Sequence, residues 1–200
     1  MDVRSCGVYR HYCLCDLRFF VAVRSRLDFL GVLISVFLTA FGGGIIRDVM
    51  VDRTPYAFSS NLPAVMIIAV MVLMIFFRFH KRGTIENRLL FIISDSIGLI
   101  SFSITGALIA LETHFNLTGV LVLSFITAVG GGITRDVIIN EVPFVFKTGF
   151  YGTISLLIGL FMYLFSYLEL LNFYMISTLF ITGVALRMVA YYQKWSIPLK

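Results

Sequence analysis

The sequence predicts an all-α membrane protein with seven transmembrane helices, arranged as two inverted three-helix repeats followed by one C-terminal helix. Three observations predict this fold class. The 200-residue chain is 59% hydrophobic and 14% charged, which is more apolar surface than a soluble domain of this length can bury. The apolar residues gather in long runs, and a stretch with three consecutive glycines, an arginine and an aspartate occurs twice.

The apolar runs predict the membrane spans, because a helix needs about 20 apolar residues to cross the hydrocarbon core. Six runs come near this length, namely Asp28–Met50, Leu62–Phe79, Leu90–Leu111, Phe115–Ile139, Gly149–Tyr167 and Leu171–Tyr192. A seventh span, Gly7–Arg24, is weaker because Asp16 and Arg18 interrupt it, and these charges also argue against a signal peptide. The loops are short, so the chain is expected to be a single transmembrane domain over residues 1–200.

The repeat emerges when the sequence is displaced on itself by 88 residues, which aligns Gly31–Phe58 with Gly119–Phe146. Fifteen of these 28 positions are identical, and the repeated stretches are TAFGGGIIRDVM from Thr39 and TAVGGGITRDVI from Thr127. We place repeat 1 at about residues 7–79, repeat 2 at about 90–167 and the extra helix at about 171–192. Because each half crosses three times, the second half starts on the opposite side of the membrane and the repeats are inverted.

Positive charge predicts the orientation, since cytoplasmic loops carry an excess of lysine and arginine. With seven spans, one side of the membrane has nine basic residues: Arg24, Arg26, Arg78, Lys81, Arg82, Arg88, Lys147, Lys194 and Lys200. The other side has Arg4, Arg47 and Arg53. We therefore expect a multi-pass protein of the cell (inner) membrane with its N-terminus outside and its C-terminus in the cytoplasm. This asymmetry explains the net charge of +5 without a nucleic-acid partner.

The first span departs from its own repeat. Tyr9–Arg18 is YRHYCLCDLR, whereas its partner Ile97–Gly106 is IGLISFSITG. One explanation is a divergent N-terminus. The other is that residues 1–19 are translated in a shifted frame, since plausible codons moved by one nucleotide give IGIIAFAISG. All three cysteines (Cys6, Cys13 and Cys15) lie in this stretch, and we assign them neither a metal nor a disulfide.

The triple glycines, Gly42–Gly44 and Gly130–Gly132, are unfavourable in helices. Each costs roughly 1 kcal/mol relative to alanine, so three together permit a kink or a break. In a membrane, carbonyls freed in this way are tolerated only inside protein or beside water, where a passing cation is also a suitable partner. Thr39 and Thr127, one turn upstream, add hydroxyls. The alternative use is close packing, because small residues let two backbones touch; the two uses are compatible.

Charges follow the glycines in both repeats, as Arg47–Asp48 and Arg135–Asp136. Each charge costs about 2.5–3.5 kcal/mol at the bilayer centre. Adjacent residues point in different directions on a helix, so we expect these charges to seek other helices or a water-filled cavity rather than each other. The alternative is structural ion pairing or snorkelling at the helix ends. Asp95, in the fourth span, is either a further gating or structural charge or a helix N-cap.

The motifs GGGIIRDV and GGGITRDV, the P-x-x-F that follows the second, and the 3+3+1 arrangement resemble the prokaryotic branch of the trimeric intracellular cation (TRIC) channels, over about residues 20–195. The resemblance implies a homotrimer in which each subunit conducts monovalent cations, chiefly potassium, along its second and fifth helices. We assign the ion path to Thr39, Gly42, Gly43, Gly44, Thr127, Gly130, Gly131, Gly132 and Ser103, and gating or structural charge to Arg47, Asp48, Arg135, Asp136 and Asp95.

The same bacterial family is also described as a glycine-transporter family, so secondary transport of a small solute such as glycine is the alternative function. Inverted repeats with interrupted helices permit both. The sequence contains no metal-ligand spacing, nucleophile elbow or phosphate-binding loop, so neither enzyme activity nor a cofactor is expected.

Overall fold

The architecture is described by a computed structural model, which covers residues 29–59, 61, 65, 67–68, 86–147 and 150–193. These ranges contain helices and no strand: α1 (Phe29–Met50), α2 (Tyr56–Ser59), α3 (Glu86–Glu112), α4 (Leu117–Ile138), α5 (Phe144–Lys147), α6 (Tyr151–Tyr167) and α7 (Phe173–Tyr192). Two predicted spans, Gly7–Arg24 and most of Leu62–Phe79, lie outside the described residues. The count of seven transmembrane helices therefore stays a prediction.

Four of the long helices have the length and apolarity to cross a membrane, over the segments Leu33–Met50, Asp95–Glu112, Leu117–Ile138 and Phe173–Tyr192. α6 is shorter, at 17 residues, and is equally apolar, with no charged side chain. These five helices coincide with five of the predicted spans to within a few residues. For the described part of the chain, the prediction of an all-α membrane protein is confirmed.

The helix ends recur in the same form in both halves. α4 ends 88 residues after α1 ends, and α5 begins 88 residues after α2 begins. After α1 and α4 the chain turns through a left-handed residue, Asp52 (φ 55°) or Asn140 (φ 61°), and these two residue types tolerate that conformation best after glycine. The next amide, of Arg53 or Glu141, bonds back to the carbonyl five residues earlier at 2.8 Å. This pattern is the Schellman motif, which satisfies the last carbonyls of each helix.

α1 and α4 cross at their glycines. A Cβ atom added to Gly42 would lie 2.9 Å from Gly131 Cα, and one added to Gly130 would lie 3.5 Å from Gly43 Cα. Gly42 is the repeat equivalent of Gly130, and Gly43 is that of Gly131. The contact is thus reciprocal, as it is about a two-fold axis. At this contact the backbone atoms of the two helices touch directly, without side chains between them.

The two helices run antiparallel across this contact. Thr39 lies beside Arg135, with its hydroxyl 3.2 Å from the guanidinium. Four residues later, a Cβ atom on Gly43 would overlap the carbonyl oxygen of Thr127. As the residue number rises along α1 it falls along α4. An inverted repeat predicts opposite directions for equivalent helices, and the layout of the two complete repeats stays a prediction.

The predicted break at the glycines is not confirmed. α1 is helical without a gap from Phe29 to Met50, and α4 from Leu117 to Ile138. Close packing of the two backbones offsets the poor helix propensity of glycine, because small residues gain contacts that larger ones would prevent. Of the two uses that the sequence permits for the glycines, a helix break and close helix packing, the described residues display close packing.

A buried serine holds the second half together. Ser124 of α4 places its hydroxyl 2.9 Å from the carbonyl of Ser103 on α3 and 3.0 Å from that of Ser155 on α6. α7 joins this group through Gly183, where an added Cβ would lie 2.8 Å from Ile158 Cδ1 and 3.2 Å from Ile100 Cγ2. Three helices thus meet at one hydroxyl, and the fourth packs against two of them.

The glycine crossing generates a stability prediction. We expect Gly43→Ala and Gly131→Ala to lower the free energy of unfolding by about 1–3 kcal/mol each, as overpacking does, because their new methyl groups meet the backbone of the other helix. Gly132→Ala is the matched control, since an added Cβ there meets nothing within 4 Å; it should gain up to about 1 kcal/mol from helix propensity. Thermal unfolding of purified protein in detergent measures the three. Equal shifts at all three positions would contradict the packing account.

Candidate functional site

A cavity of about 280 Å³ lies beside the glycine crossing. α1, α3, α4, α5 and α6 all contribute to its wall. Nine of the residues assigned to the site from the sequence line it: Thr39, Gly43, Gly44, Asp95, Thr127, Gly131, Gly132, Arg135 and Asp136. The structure brings these nine residues to one cavity, and their role in an ion path stays a prediction.

Five of the assigned residues lie elsewhere. Gly42 and Gly130 face the helix crossing, and Arg47 and Asp48 lie at the far end of α1. Ser103 is fully buried, and its hydroxyl donates to the carbonyl of Leu99 at 2.7 Å. The structure thus places these five outside the cavity wall.

Asp95 is part of the wall and not a helix cap. α3 begins at Glu86, so Asp95 lies more than two turns inside the helix. The N-cap alternative is therefore wrong, because capping requires a position at the helix start. Asp95 Oδ1 accepts a hydrogen bond from the hydroxyl of Tyr151 at 3.1 Å.

The adjacent charges in α4 bond to each other, contrary to the expectation. Both Nε and Nη2 of Arg135 approach Asp136 Oδ1, at 2.9 and 2.8 Å. Nη1 of the same guanidinium donates to the Thr39 hydroxyl of α1 at 3.2 Å. This arginine therefore neutralises its neighbour and also ties the two glycine helices together at the cavity wall.

Arg47 and Asp48 repeat this geometry at the end of α1. Nε and Nη2 of Arg47 lie 2.8 and 2.7 Å from Asp48 Oδ1. The second carboxylate oxygen accepts from the backbone amide of Tyr56, the first residue of α2, at 3.2 Å. The expectation failed because it considered only the directions of the Cβ atoms. An arginine side chain is long enough to bend around the helix and return to the next residue, and in a low-dielectric setting a neutral pair is favoured over two separate charges.

Two glycines of the wall face open space. An added Cβ would meet nothing within 4 Å at either Gly98 or Gly132, and both line the cavity. Beside them the carbonyl of Gly130 accepts from the Thr134 hydroxyl at 2.8 Å. The first repeat has Ile46 in place of this threonine, so the two halves are not chemically equal around their glycines.

The formally charged side chains of the wall are Arg135, Asp136 and Asp95, which sum to −1. The positive charge of Arg187, which contacts the Tyr151 ring from outside the wall, balances this sum. The remainder of the wall consists of hydroxyl, backbone and apolar groups. Among the described residues no cluster of His, Cys, Asp and Glu could hold a metal ion. The arrangement suits a weakly held monovalent cation, with hydroxyl and carbonyl oxygens as transient partners.

Two residues of this region were missed in the sequence. Tyr151 forms part of the wall, and Arg187 of α7 lies behind it, 4% exposed, with its guanidinium carbon 4.7 Å from the centre of the Tyr151 ring. A signal for Arg187 did exist, because it is the one charged residue within the apolar helix Phe173–Tyr192, and such residues are functional candidates by default. Tyr151 had no comparable signal.

Comparison with known proteins places the chain in a family. A family model described as Glycine transporter matches residues 19–79 and 92–167, one segment in each half. The UPF0126 membrane protein YvgT of Bacillus subtilis is 34% identical over 178 residues, which cover 89% of this chain and 86% of that protein. The UPF0126 inner membrane protein YadS of Escherichia coli is 30% identical over 140 residues, which cover 70% of this chain and 67% of that protein.

A solved structure, described as "Structural basis for conductance through TRIC cation channels", has the same fold. Its TM-score is 0.79 at 32% identity, and the match covers 90% of this chain and 88% of that one. The apolar helices and the relatives both identify a multi-pass membrane protein. The chain therefore belongs to the prokaryotic TRIC family that its doubled glycine motif predicts, whose sequence model is described as Glycine transporter.

Proposed function

We propose that this protein is a channel for monovalent cations, chiefly potassium, and not an enzyme. The observation that carries the proposal is the cavity beside the glycine crossing, whose wall has hydroxyls, open glycine backbone and a formal charge of −1. The similarity to a structure solved in a study of TRIC cation channels supports it. The cavity lies within one chain, which is in keeping with one conduction path per subunit of a homotrimer.

The path runs past α1 and α4, close to Thr39 and Thr127. These two threonines are repeat equivalents, and each hydroxyl donates to the carbonyl four residues earlier, Thr127 to Leu123 at 2.6 Å and Thr39 to Ser35 at 2.7 Å. They differ in their surroundings, because Thr127 is buried whereas Thr39 is exposed and also accepts a hydrogen bond from Arg135. No ring of acidic residues lines the described part of the cavity. Selectivity then comes from hydroxyl and carbonyl oxygens, which replace part of the hydration shell of the ion.

Bilayer recording of the purified protein tests this proposal. We expect unitary cation currents, with potassium more permeant than chloride. Gly132→Ala should reduce the unitary conductance, because its methyl group enters open space on the cavity wall while the fold is kept.

Ser177→Ala is the control, since Ser177 lies on α7, outside the cavity wall, and its hydroxyl only returns to the carbonyl of Phe173. Its conductance should match that of the wild type. Saturable counterflow of glycine without unitary currents would overturn the channel in favour of a carrier.

The Arg135–Asp136 pair gives a second prediction. Asp136→Asn leaves an uncompensated cation on the wall, which should reduce cation flux by about tenfold, as expected for a unit charge at roughly 10 Å with an intermediate dielectric constant. Arg135→Gln leaves a carboxylate and should reduce flux much less. Flux into liposomes, normalised to folded protein, measures both.

Asp48→Asn is the matched control, because the equivalent pair of the first repeat lies outside the cavity wall. It should destabilise the protein while leaving the flux per folded channel unchanged. Equal losses from the two variants of the Arg135–Asp136 pair would assign that pair a purely structural role, and a larger loss from Arg135→Gln would indicate an anionic or zwitterionic solute.

We also propose the predicted orientation in the inner membrane, with the N-terminus outside and the C-terminus in the cytoplasm. The ends of α1 and α3 lie on one side, since Arg53 and Glu112 approach to 3.3 Å. In a variant without Cys6, Cys13 and Cys15, a cysteine at position 112 should react with an impermeant reagent added outside. A cysteine at position 200 should react only after permeabilisation. Reaction of both from the same side would contradict the inverted arrangement.

A further inference from the structure

The helix outside both repeats contributes a buried cation to the cavity region. Arg187 is the one charged residue of α7 and is 4% exposed. Its guanidinium carbon lies 4.7 Å from the centroid of the Tyr151 ring, within the range of a cation–π contact. A charge in an apolar span is costly, so a residue of this kind is expected to serve a nearby site.

Tyr151 connects this cation to a carboxylate of the cavity wall. Its hydroxyl donates to Asp95 Oδ1 at 3.1 Å, while its ring receives the guanidinium. A tyrosine suits this position because its ring face is electron-rich and its hydroxyl is a donor. The next residue on α7, Met188, has its sulfur 4.0 Å from the hydroxyl of Ser96, which holds α7 against α3 at the level of Asp95.

The hydroxyl of this arrangement belongs to the second half of the chain. The position 88 residues before Tyr151 is Pro63, which can supply no hydroxyl. The other charges of the wall, Arg135 and Asp136, bond to each other. Asp95 differs from Asp136 because no arginine is adjacent to it in the sequence, and it accepts a hydrogen bond from a tyrosine whose ring contacts a cation.

We propose that Arg187 is a positioning residue of the cation path: it holds Tyr151 in place, and Tyr151 in turn holds Asp95. This inference rests on the proposed function. A carboxylate that accepts a hydrogen bond has less capacity left to hold a cation, and conduction requires that an ion be bound weakly enough to leave. Without Arg187 or the Tyr151 hydroxyl, Asp95 loses this hydrogen bond, and its carboxylate binds the passing ion more tightly and delays its exit.

The test is the dependence of unitary conductance on potassium concentration. Tyr151→Phe keeps the ring for Arg187 and removes only the hydroxyl. We expect it to lower the half-saturating concentration by about threefold, the order of one modest hydrogen bond, and to lower the maximum conductance. Arg187→Met should shift both quantities in the same direction. Tyr163→Phe, the same chemical change at a residue of α6 outside the cavity wall, should leave the curve unchanged.

Combining Arg187→Met with Tyr151→Phe distinguishes an effect of Arg187 through Tyr151 from a direct effect of its charge on the ion. If Arg187 acts through Tyr151, Arg187→Met should have no further effect in the Tyr151→Phe background. Additive shifts would mean that Arg187 acts directly through its charge, which would overturn the inference. Should Arg187→Met not fold, Arg187→Lys replaces it in the cycle, with a smaller shift that again disappears in the Tyr151→Phe background. A wild type without cation current would overturn the proposed function itself, whereas wild-type current with additive or absent effects overturns this inference alone.

Discussion

The direct contact of two helix backbones at Gly42–Gly43 and Gly130–Gly131 is the constraint on which the rest of the molecule depends. Any side chain at Gly43 or Gly131 would meet a carbonyl of the other helix, so the crossing fixes how closely α1 and α4 approach. That approach brings Thr39 within reach of Arg135. It also leaves the third glycine of each motif on the cavity wall. The first two glycines of each motif therefore form the contact between α1 and α4, and the third glycine lines the cavity beside that contact.

Around that crossing the two halves are alike in backbone and different in chemistry. Their helices end in the same turn, and their arginines fold back onto the following aspartate with nearly the same distances. Both halves contribute to the cavity wall, but its tyrosine belongs to the second half, because Tyr151 corresponds to Pro63 in the first. The shared backbone supplies the scaffold, and a few side chains that differ give the cavity its chemistry.

Sequence patterns predicted the elements well because the membrane imposes a simple rule of length and apolarity on each helix. The same patterns singled out nine residues that the structure brings to one cavity, because triple glycines and charges are costly in apolar helices. They failed where the outcome depends on the reach of side chains: the pairing of Arg47 with Asp48 depends on how a long side chain folds, which spacing does not encode. Tyr151 could not be found because a tyrosine at the start of a helix is unremarkable until its neighbours are known.

The position of the crossing along the helices has a mechanical consequence. At about 1.5 Å per residue, Gly131 lies about 20 Å from the start of α4 and about 10 Å from its end. The described part of α1 extends about 20 Å from Gly43 in one direction and about 10 Å in the other. The two helices are antiparallel, so the longer segment of each helix, its long arm, lies beside the shorter segment, the short arm, of the other. A helix that tilts about this contact moves the end of its long arm about twice as far as the end of its short arm.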